Sequence, residues 1–317
     1  MNILITGIHG FVGSNIVKAL SKANTLYGLD IISPEKNGVK KTFSWNDLDN
    51  GIIPDIDAII HLAGKAHDTK NKSQSDVYFN VNTKLTQKIY DYYLTSSATK
   101  FIFFSSVKAA VDSVPGDILT EEVPTNPVGP YGESKVKAEE YIQTKWEAGD
   151  KKTYILRPCM IHGPGNKGNL NLLYGVVSKG IPWPLGRFDN KRSFTSVDNL
   201  CFVIRGLLEK NIATGIYQMG DDEALSTNEL IKVMCSAMGR KARIWYLPKS
   251  LMRTLAKVGT WTYLPLNSER LRKLTENYVV SNSKIKRALG IDKMPVSASD
   301  GLVKTIKSFE NKKLIKK

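Results

Sequence analysis

Cysteine is scarce in this sequence and long apolar runs are missing from it, and each shortage excludes a class of protein. Only three of the 317 residues are cysteine and no two of them form a Cys-x-x-Cys pair, which argues against a disulfide framework and for a reducing compartment. No apolar run approaches the ~18 residues of a membrane-spanning helix, and no basic flank precedes the first apolar residues. We therefore expect a soluble, cytoplasmic protein.

Histidine is scarce as well, and its four copies do not indicate a metal site. His9, His61, His67 and His162 do not cluster at metal-ligand spacing, and no set of Asp or Glu accompanies them. We therefore expect no bound metal. His61 ends an apolar strand pattern, so we expect it to be structural or close to a cofactor. The three cysteines fall in apolar runs that predict packing roles: Cys159, Cys201 and Cys235.

Positive charge is in excess, and the second half of the chain carries it. The sequence has 45 Lys and Arg against 30 Asp and Glu, a formal net charge of +15. Residues 1–150 hold 15 basic and 18 acidic residues, whereas residues 151–317 hold 30 and 12. A nucleic-acid binder is the first class that such a balance suggests. The uneven distribution instead predicts that only the basic half faces an anionic ligand.

Short apolar runs alternate with helical patterns over the first 220 residues. This alternation predicts a parallel sheet covered on both faces, which is a doubly wound α/β (Rossmann) fold with, after it, a smaller C-terminal lobe. We assign residues 1–165 to the sheet domain, with residues 190–220 returning to it, and residues 166–317 mainly to the lobe. The predicted strands are Asn2–Thr6 and residues 26–30, 41–44, 57–62, 101–105 and 153–156, and the predicted helices are residues 12–23, 77–94, 131–146, 170–178 and 226–238.

A glycine-rich turn joins the first predicted strand to the first helix. Gly7, Gly10 and Gly13 are spaced Gly-x-x-Gly-x-x-Gly, and such glycines let backbone N–H groups approach a pyrophosphate at a helix N-terminus. Asp30 ends the second predicted strand, where a carboxylate accepts hydrogen bonds from the ribose diol of adenosine and repels a 2′-phosphate. The combination predicts a dinucleotide site for NAD, with NADP remaining open.

Three further residues predict acid–base chemistry at the same edge of the sheet. Tyr131 and Lys135 follow Pro130 and lie on one face of a predicted helix. A phenol with its ordinary pKa of about 10 is a poor base at neutral pH, but a neighbouring ammonium and a cationic nicotinamide favour the phenolate. Ser106 ends the fifth predicted strand, where open α/β sheets bind ligands. We predict that Tyr131 moves a proton while Ser106 hydrogen bonds the reacting oxygen.

These motifs resemble those of the extended short-chain dehydrogenase/reductase family over nearly the whole chain. The glycine turn, Ser106 and Tyr131-x-x-x-Lys135 match its glycine loop, catalytic serine and Tyr/Lys pair, and Asn80-Val-Asn is similar to its Asn-Val-x-Gly-Thr, although Thr83-Lys84 replaces Gly-Thr. The resemblance implies an NAD-dependent enzyme that dimerises, by analogy, through a four-helix contact. The cofactor-binding residues that it implies are Gly7, Gly10, Phe11, Val12, Gly13, Asp30, Leu62, Ala63, Gly64, Asn80, Tyr131, Lys135, Arg157 and Pro158.

Most members with this architecture act on nucleotide-diphosphate sugars, which fits the basic second half. The resemblance implies a UDP-sugar as substrate, with Arg192 offering charge to phosphate and Phe194 a ring to the nucleoside. Arg270 or Arg272 is a candidate for a second phosphate contact, although the family's Arg-x-x-Asp spacing is not reproduced there. Each arginine taken singly is also explained as a solvated surface charge. The predicted substrate-binding residues are Lys108, Asn169, Leu170, Gly186, Arg192, Phe194, Arg270 and Arg272.

The residues after Ser106 help to choose the reaction. The family's 4,6-dehydratases carry acidic residues there and its hexose epimerases usually show Val-Tyr-Gly, whereas Val-Lys-Ala-Ala-Val stands here. Ser-Ser-Val-Lys and Gly-Pro-Gly-Asn-Lys-Gly-Asn resemble a polysaccharide-locus subgroup that reduces the 4-keto group of UDP-2-acetamido-2,6-dideoxyhexosulose, giving UDP-N-acetylquinovosamine or its C4 epimer. We expect this reductase activity. A UDP-hexose or UDP-HexNAc 4-epimerase is the alternative, since it uses the same residues.

A non-catalytic Rossmann scaffold that binds nucleic acid or a membrane is the remaining alternative. Residues 251–266 are apolar with Arg253 and Lys257 among them, a composition that suits a membrane surface as well as an ordinary lobe helix. A scaffold has no need for the serine, tyrosine and lysine together. We therefore expect a UDP-sugar as the partner, no nucleic acid, no transmembrane segment, and at most a weak contact with a membrane surface.

Overall fold

A seven-stranded parallel sheet forms the centre of the chain in the computed structural model. The strands are β1 (Asn2–Thr6), β2 (Thr25–Leu29), β3 (Lys41–Phe43), β4 (Ala58–His61), β5 (Lys100–Phe104), β6 (Lys152–Pro158), β7 (Met160–His162), β8 (Phe194–Ser196) and β9 (Gly215–Met219). The sheet has the order β3-β2-β1-β4-β5-β6-β9, while β7 and β8 form a separate parallel pair. The structure describes residues 1–65, 74–146, 149–166, 168–262 and 266–315.

Helices connect the strands and cover both faces of the sheet. Within the described part of the chain, no helix combines the length and the apolar character needed to cross a membrane. The helices are α1 (Phe11–Leu20), α2 (Trp45–Asp49), α3 (Ser75–Tyr78), α4 (Leu85–Thr95), α5 (Val107–Ala110), α6 (Pro130–Thr144), α7 (Asn169–Val177), α8 (Val197–Glu209), α9 (Thr227–Ala237), α10 (Lys249–Trp261), α11 (Ser268–Thr275), α12 (Ser283–Leu289) and α13 (Ala298–Ile315), with a π-helix at Phe79–Lys84.

The side chains of each central strand alternate between two cores. Ile3 and Ile5 of β1 pack with residues of α1 and α8 on one face, whereas Leu4 packs with residues of α4 and α6 on the other. This alternation follows from the two-residue period of a strand. All of these side chains are buried, because helices cover the parallel sheet on both faces. The predicted doubly wound α/β fold is confirmed.

The C-terminal part forms a third core, but it does not separate cleanly from the sheet. Helices α7, α9, α10 and α13 contribute Tyr174, Met234, Met252 and Leu302 to the lobe core. In contrast, α8 and β9 return to the sheet within the predicted range of residues 190–220. Helix α12 also packs on the sheet core, a second return that lies outside the range predicted from sequence.

The predicted helix at residues 77–94 is interrupted by the π-helix. Helix α3 precedes Phe79–Lys84 and α4 follows it. A π-turn accommodates one extra residue per turn, which rotates the side chains after it relative to a regular α-helix, and such turns are frequent at functional sites. Here it lies against α6, which carries Tyr131 and Lys135.

Candidate active site

The turn after β1 holds the glycine-rich sequence close to the backbone around it. Gly7 has a φ of +67°, a left-handed conformation that favours glycine, and its N–H donates to the Leu29 carbonyl at 2.9 Å. A Cβ on Gly13 would lie 2.7 Å from the carbonyl oxygens of both Gly7 and Ile8. Helix α1 therefore begins this close to the turn only because Gly13 has no side chain. Its N-cap is Gly10, which offers no side-chain acceptor to the first N–H groups, so they can receive a pyrophosphate.

Asp30 lies beside this turn, where a ribose-binding carboxylate is expected. Its oxygens accept hydrogen bonds from the N–H groups of His9 at 3.1 Å and Ile31 at 2.8 Å. Lys36 adds a positive charge near Asp30 and donates to Ser14 Oγ at 2.8 Å. Sequence reasoning missed Lys36 because it lies in a loop with no motif. The glycine turn, the open helix N-terminus and Asp30 together fit NAD.

The segment after β4 and the start of α1 complete the predicted cofactor surface. Thr6 Oγ1 accepts hydrogen bonds from the N–H groups of Leu62 at 3.1 Å and Ala63 at 2.9 Å. A Cβ on Gly7 would lie 2.9 Å from the Ala63 nitrogen, so the two turns are in contact. Gly64 is exposed beside them. Two partly buried residues follow from α1: Phe11, which lies against Gly163 and Gly165, and Val12, which packs on the sheet core.

Ser106 and Tyr131 meet at the carboxyl edge of β5. Ser106 is the N-cap of α5, and its hydroxyl hydrogen bonds the side chain of Tyr131. Helix α6 comes this close because Gly132 follows Tyr131: a Cβ there would lie 2.5 Å from the Lys108 carbonyl oxygen. Burial raises the pKa of Tyr131, and the hydrogen bond with Ser106 opposes this. The phenol therefore keeps its proton at neutral pH, in contrast to the phenolate expected with a cationic nicotinamide beside it.

Lys135 is buried one helical turn from Tyr131. Its ammonium donates to the Phe104 carbonyl at 2.8 Å and lies 4.9 Å from the centre of the Phe103 ring. Burial lowers the pKa of Lys135 to about 8, and the charge of Glu139 opposes this. The ammonium is therefore mostly charged at pH 7 but loses its proton more readily than a surface lysine.

Asn82, on the π-helix, lies in the site although the sequence pointed to Asn80. Asn80 is exposed, whereas Asn82 is fully buried. The Asn82 amide accepts from the Lys65 N–H at 2.7 Å and donates to Ser134 Oγ at 3.0 Å. It thus connects the segment after β4 to α6, next to Lys135. Asn-Val-Asn was the available signal, but only the register of the π-turn selects its second asparagine.

Arg157 forms a buried ion pair with Glu139 of α6. The two side chains are both buried and form an ion pair, with Arg157 Nε 3.0 Å from Glu139 Oε1. Ser105 donates to the same carboxylate. The Nε and one terminal nitrogen of the guanidinium therefore hold β6 against α6, and the cofactor contact of Arg157 stays a prediction. Pro158, the last residue of β6, is buried as well.

Three of the predicted substrate-binding cations share one charged cluster. Lys108 pairs with Asp112 at 2.9 Å and Arg192 pairs with Glu276 at 3.0 Å. Arg272 lies between the two carboxylates, 3.6 Å from Asp112 and 3.7 Å from Glu276. Burial lowers the pKa of Arg192, and the charge of Glu276 opposes this. Three cations and two carboxylates leave the cluster with a net positive charge. Lys108 places the cluster near the predicted catalytic residues, because it follows Ser106 by two residues.

Tyr278 connects this cluster to α5, a role that no sequence motif predicted. Its hydroxyl donates to the carbonyls of Val107 at 3.1 Å and Val111 at 2.8 Å. The Lys108 ammonium lies 4.7 Å from the centre of its ring. Tyr278 therefore fixes the helix that begins at Ser106.

The other predicted substrate-binding residues lie on several elements of the lobe and of the segment before it. Phe194 and Leu170 are both buried in the lobe core, and the predicted contact of the Phe194 ring with a nucleoside stays a prediction. Gly186 is buried, and a Cβ on it would lie 2.7 Å from the Trp245 carbonyl. The remaining two are Asn169, which begins α7, and Arg270, which is exposed on α11.

His61, Cys159 and Cys201 are placed for structural roles, because burial keeps each of them uncharged. His61 hydrogen bonds Thr6 at 2.7 Å and Thr86 at 2.8 Å, and burial lowers its pKa well below the ordinary value, so it is neutral. Burial raises the pKa of Cys159 and Cys201 to about 12, which leaves both thiols unreactive. His67 lies outside the described residues. Within those residues, no group of three or more His, Cys, Asp or Glu is placed to hold a metal ion.

Comparison with known proteins agrees with this geometry. The UDP-glucose 4-epimerase of Vibrio cholerae is 29% identical over 97% of this chain and 95% of its own length. The N-acetyl-alpha-D-glucosaminyl-diphospho-ditrans,octacis-undecaprenol 4-epimerase of Escherichia coli O157:H7 is 26% identical over 90% of this chain and 85% of its own.

Two solved structures share the fold at low sequence identity. The UDP-glucuronic acid 4-epimerase of Bacillus cereus has a TM-score of 0.75 at 22% identity, covering 98% of this chain and 99% of that one. The UDP-glucose 4-epimerase of Thermotoga maritima has a TM-score of 0.75 at 19% identity with the same coverage. A family model described as the NAD dependent epimerase/dehydratase family matches residues 3–220, more than half of the chain. This chain therefore belongs to the NAD dependent epimerase/dehydratase family, which confirms the expected enzyme class and NAD as its cofactor.

Proposed function

We propose that this chain reduces the C4 keto group of a UDP-2-acetamido-2,6-dideoxyhexosulose in surface polysaccharide biosynthesis in the cytoplasm. The product is UDP-N-acetylquinovosamine or its C4 epimer. The observation that carries the proposal is the hydrogen bond between Ser106 and Tyr131 at the edge of β5, with Lys135 one turn away. This arrangement supports proton transfer to the oxygen of a ketone, and the names of the relatives support carbon 4 of a sugar that is linked to a diphosphate.

Tyr131 is the acid in the direction of reduction. Because burial raises the pKa of Tyr131, its hydroxyl holds a proton that it can donate to O4 as negative charge develops there. Ser106 can hydrogen bond the same oxygen, and the Lys135 ammonium stabilises the phenolate that remains. The glycine turn and Asp30 would hold NADH, which when bound would provide the hydride for C4.

The surroundings of Ser106 do not support dehydration. Within α5, Val107, Ala109 and Ala110 are buried and apolar, and Lys108 is paired with Asp112. Elimination of water across C5 and C6 needs a group that removes a proton from carbon, and α5 supplies no carboxylate for that step.

The charged cluster is the proposed site for the UDP diphosphate. Arg192 and Arg272 carry planar guanidinium groups, which bind phosphate oxygens through two parallel hydrogen bonds. Each faces a carboxylate, which keeps the partly buried Arg192 and the exposed Arg272 in position. A diphosphate would compete with Glu276 for these donors and would use the surplus positive charge.

A 4-epimerase is the second candidate, and the relatives' names favour it specifically, since both are called 4-epimerases. Epimerisation uses Tyr131 first as a base and then as an acid at the same oxygen. It also needs the keto sugar to turn over within the site before C4 is reduced again. The same three side chains serve both reactions. The two candidates therefore differ in whether NADH is consumed overall.

An isotope experiment separates the two candidates. The protein is mixed with NADH that carries deuterium on C4 of the nicotinamide and with a UDP-4-keto-6-deoxy-HexNAc, and both absorbance and product mass are followed. The reductase proposal predicts stoichiometric NADH oxidation and one deuterium at C4 of the sugar. No net oxidation, together with interconversion of UDP-GlcNAc and UDP-GalNAc, would reject the reductase and identify an epimerase.

A further inference from the structure

Helix α10 exposes an apolar edge that no described residue covers. Its buried side consists of Met252, Ala256 and Gly259, two of which pack in the lobe core. Along the adjacent edge Leu251, Leu255 and Val258 are 45%, 47% and 48% exposed, and their spacing of four and three residues places them on one line. Exposed apolar side chains in a contiguous line, unlike isolated ones, indicate an interaction surface. Near the end of the helix, Trp261 is 84% exposed.

A line of basic residues runs along the other exposed edge of α10. Lys249, Arg253 and Lys257 are spaced by four residues, and all three are exposed. Among the described residues none of the three forms an ion pair with a carboxylate. The surrounding sequence explains this: residues 230–268 contain seven Lys and Arg and no Asp or Glu.

An open cleft adjoins the start of α10. It is lined by Arg187, Tyr246, Pro248, Lys249 and Ser250. Its two cations and its hydroxyl groups suit an anionic group such as a phosphate. The cleft and the basic edge share Lys249 and form one continuous cationic surface, which lies across the exposed face of α10 from the apolar edge.

We propose that α10 docks the enzyme peripherally on an anionic lipid bilayer. Leu251, Leu255 and Val258 enter the boundary between headgroups and acyl chains, and the basic edge lies against lipid phosphates. Trp261 is placed for the interface, where tryptophan is enriched. A second copy of this chain fits the surface less well, because two α10 helices would bring six unpaired cations together. This inference goes beyond the proposed function, which requires no membrane.

Vesicle flotation tests the proposal. The full chain is floated with phosphatidylcholine vesicles that contain or lack phosphatidylglycerol, and we expect binding only to the anionic vesicles, with affinity falling as salt is raised. Two double variants, Arg253→Glu/Lys257→Glu and Leu251→Gln/Leu255→Gln, are each expected to bind on the order of tenfold more weakly or worse. The matched controls are Lys22→Glu and Ile52→Gln, which change exposed residues elsewhere and should bind like the unmodified chain.

The fluorescence of Trp261 provides a second measurement. Emission should shift to the blue with anionic vesicles, and the shift should be lost in Trp261→Phe. Equal binding of the α10 variants and the controls would overturn the proposal. It would also be overturned if the unmodified chain bound neither kind of vesicle. Concentration-dependent dimers that disappear in the α10 variants would instead assign the surface to self-association. Turnover of a soluble UDP-sugar should be unchanged in the α10 variants, so a failure here is distinct from a failure of the proposed reaction.

Discussion

Burial shifts the pKa values of two neighbouring side chains in opposite directions. It raises the pKa of Tyr131 and lowers that of Lys135 to about 8, since it penalises the charged form of each. The result is a neutral phenol beside an ammonium that loses its proton at a lower pH than an exposed lysine does. Such a pair can pass a proton to a substrate oxygen and then balance the phenolate, which neither residue would do alone at neutral pH.

The pKa of Lys135 predicts how activity depends on pH. Because its value in the fold is about 8, the ammonium is present below that pH and is lost as pH rises through it. If the charge supports Tyr131, kcat falls as pH increases above about 8. Lys135→Met should remove the activity, whereas the control Lys137→Met, an exposed residue paired with Glu140, should retain both the activity and its pH profile. A kcat that stays constant from neutral to alkaline pH would contradict this role.

The buried pair of Arg157 and Glu139 predicts a large effect on stability. Glu139→Ala leaves a buried guanidinium without its partner, which costs about 3–5 kcal/mol. The adjacent Glu140→Ala removes an exposed pair and should cost less than about 1 kcal/mol. Urea unfolding of both variants measures the difference. Similar free energies of unfolding for the two would mean that the buried pair is not important for stability.

Spacing along the chain was enough to place some residues of the site but not others. Tyr131 and Lys135 were predictable because a fixed helical spacing sets their common face, and Ser106 because it ends a strand. The ion pair of Arg157 and the burial of Phe194 were not, because each depends on a partner distant in sequence. No local pattern distinguishes a guanidinium that faces a cofactor from one that faces Glu139.

Among the elements, the parallel strands were predictable and the π-helix was not. The first strand matches its predicted bounds and the second is displaced by one residue, since apolar runs bounded by turns define them well. The π-turn at Phe79–Lys84 packs against α6, and no local sequence motif predicts it. Its consequence is local but important, because it buries Asn82 rather than Asn80.

The start of α1 predicts a sharp dependence of cofactor binding on one methyl group. In Gly13→Ala the new Cβ would meet two carbonyl oxygens at 2.7 Å, and such overpacking costs about 1–3 kcal/mol. We expect NADH to bind about tenfold more weakly, as measured by fluorescence titration. The control is Gly175→Ala in α7, where a Cβ meets nothing within 4 Å. Equal affinities in the two variants would mean that the glycine turn does not hold the cofactor.

The uneven charge of the chain produces two separate cationic surfaces. The excess of basic residues after residue 150 supplies the cluster around Arg192 and Arg272, and separately the cationic side of α10. The four-helix homodimer implied by the family resemblance remains a prediction. Within the described residues, the exposed sides of α4 and α6 carry none of the large exposed apolar side chains. The composition predicted an anionic ligand. It could not show that the excess basic residues lie on two surfaces, because that depends on the fold.

The cluster around Arg192 predicts a specific loss of nucleotide affinity. Removing a charge-assisted contact with phosphate costs about 1.5–3 kcal/mol, or about 10- to 100-fold in Kd. Titration calorimetry with UDP should show this loss for Arg192→Ala. The control Arg205→Ala removes a guanidinium on α8 that donates to the Ala19 carbonyl, and should bind UDP normally. Unchanged affinity in Arg192→Ala would place the diphosphate elsewhere.

Tyr131→Phe is the sharpest test of the proposal that Tyr131 transfers the proton at C4 of the sugar. This variant keeps the ring and removes the hydroxyl that hydrogen bonds Ser106. Steady-state turnover should fall by about 10²- to 10⁴-fold, while NADH binding, measured by fluorescence on the same sample, stays unchanged. Turnover within a few-fold of the unmodified chain would contradict the account.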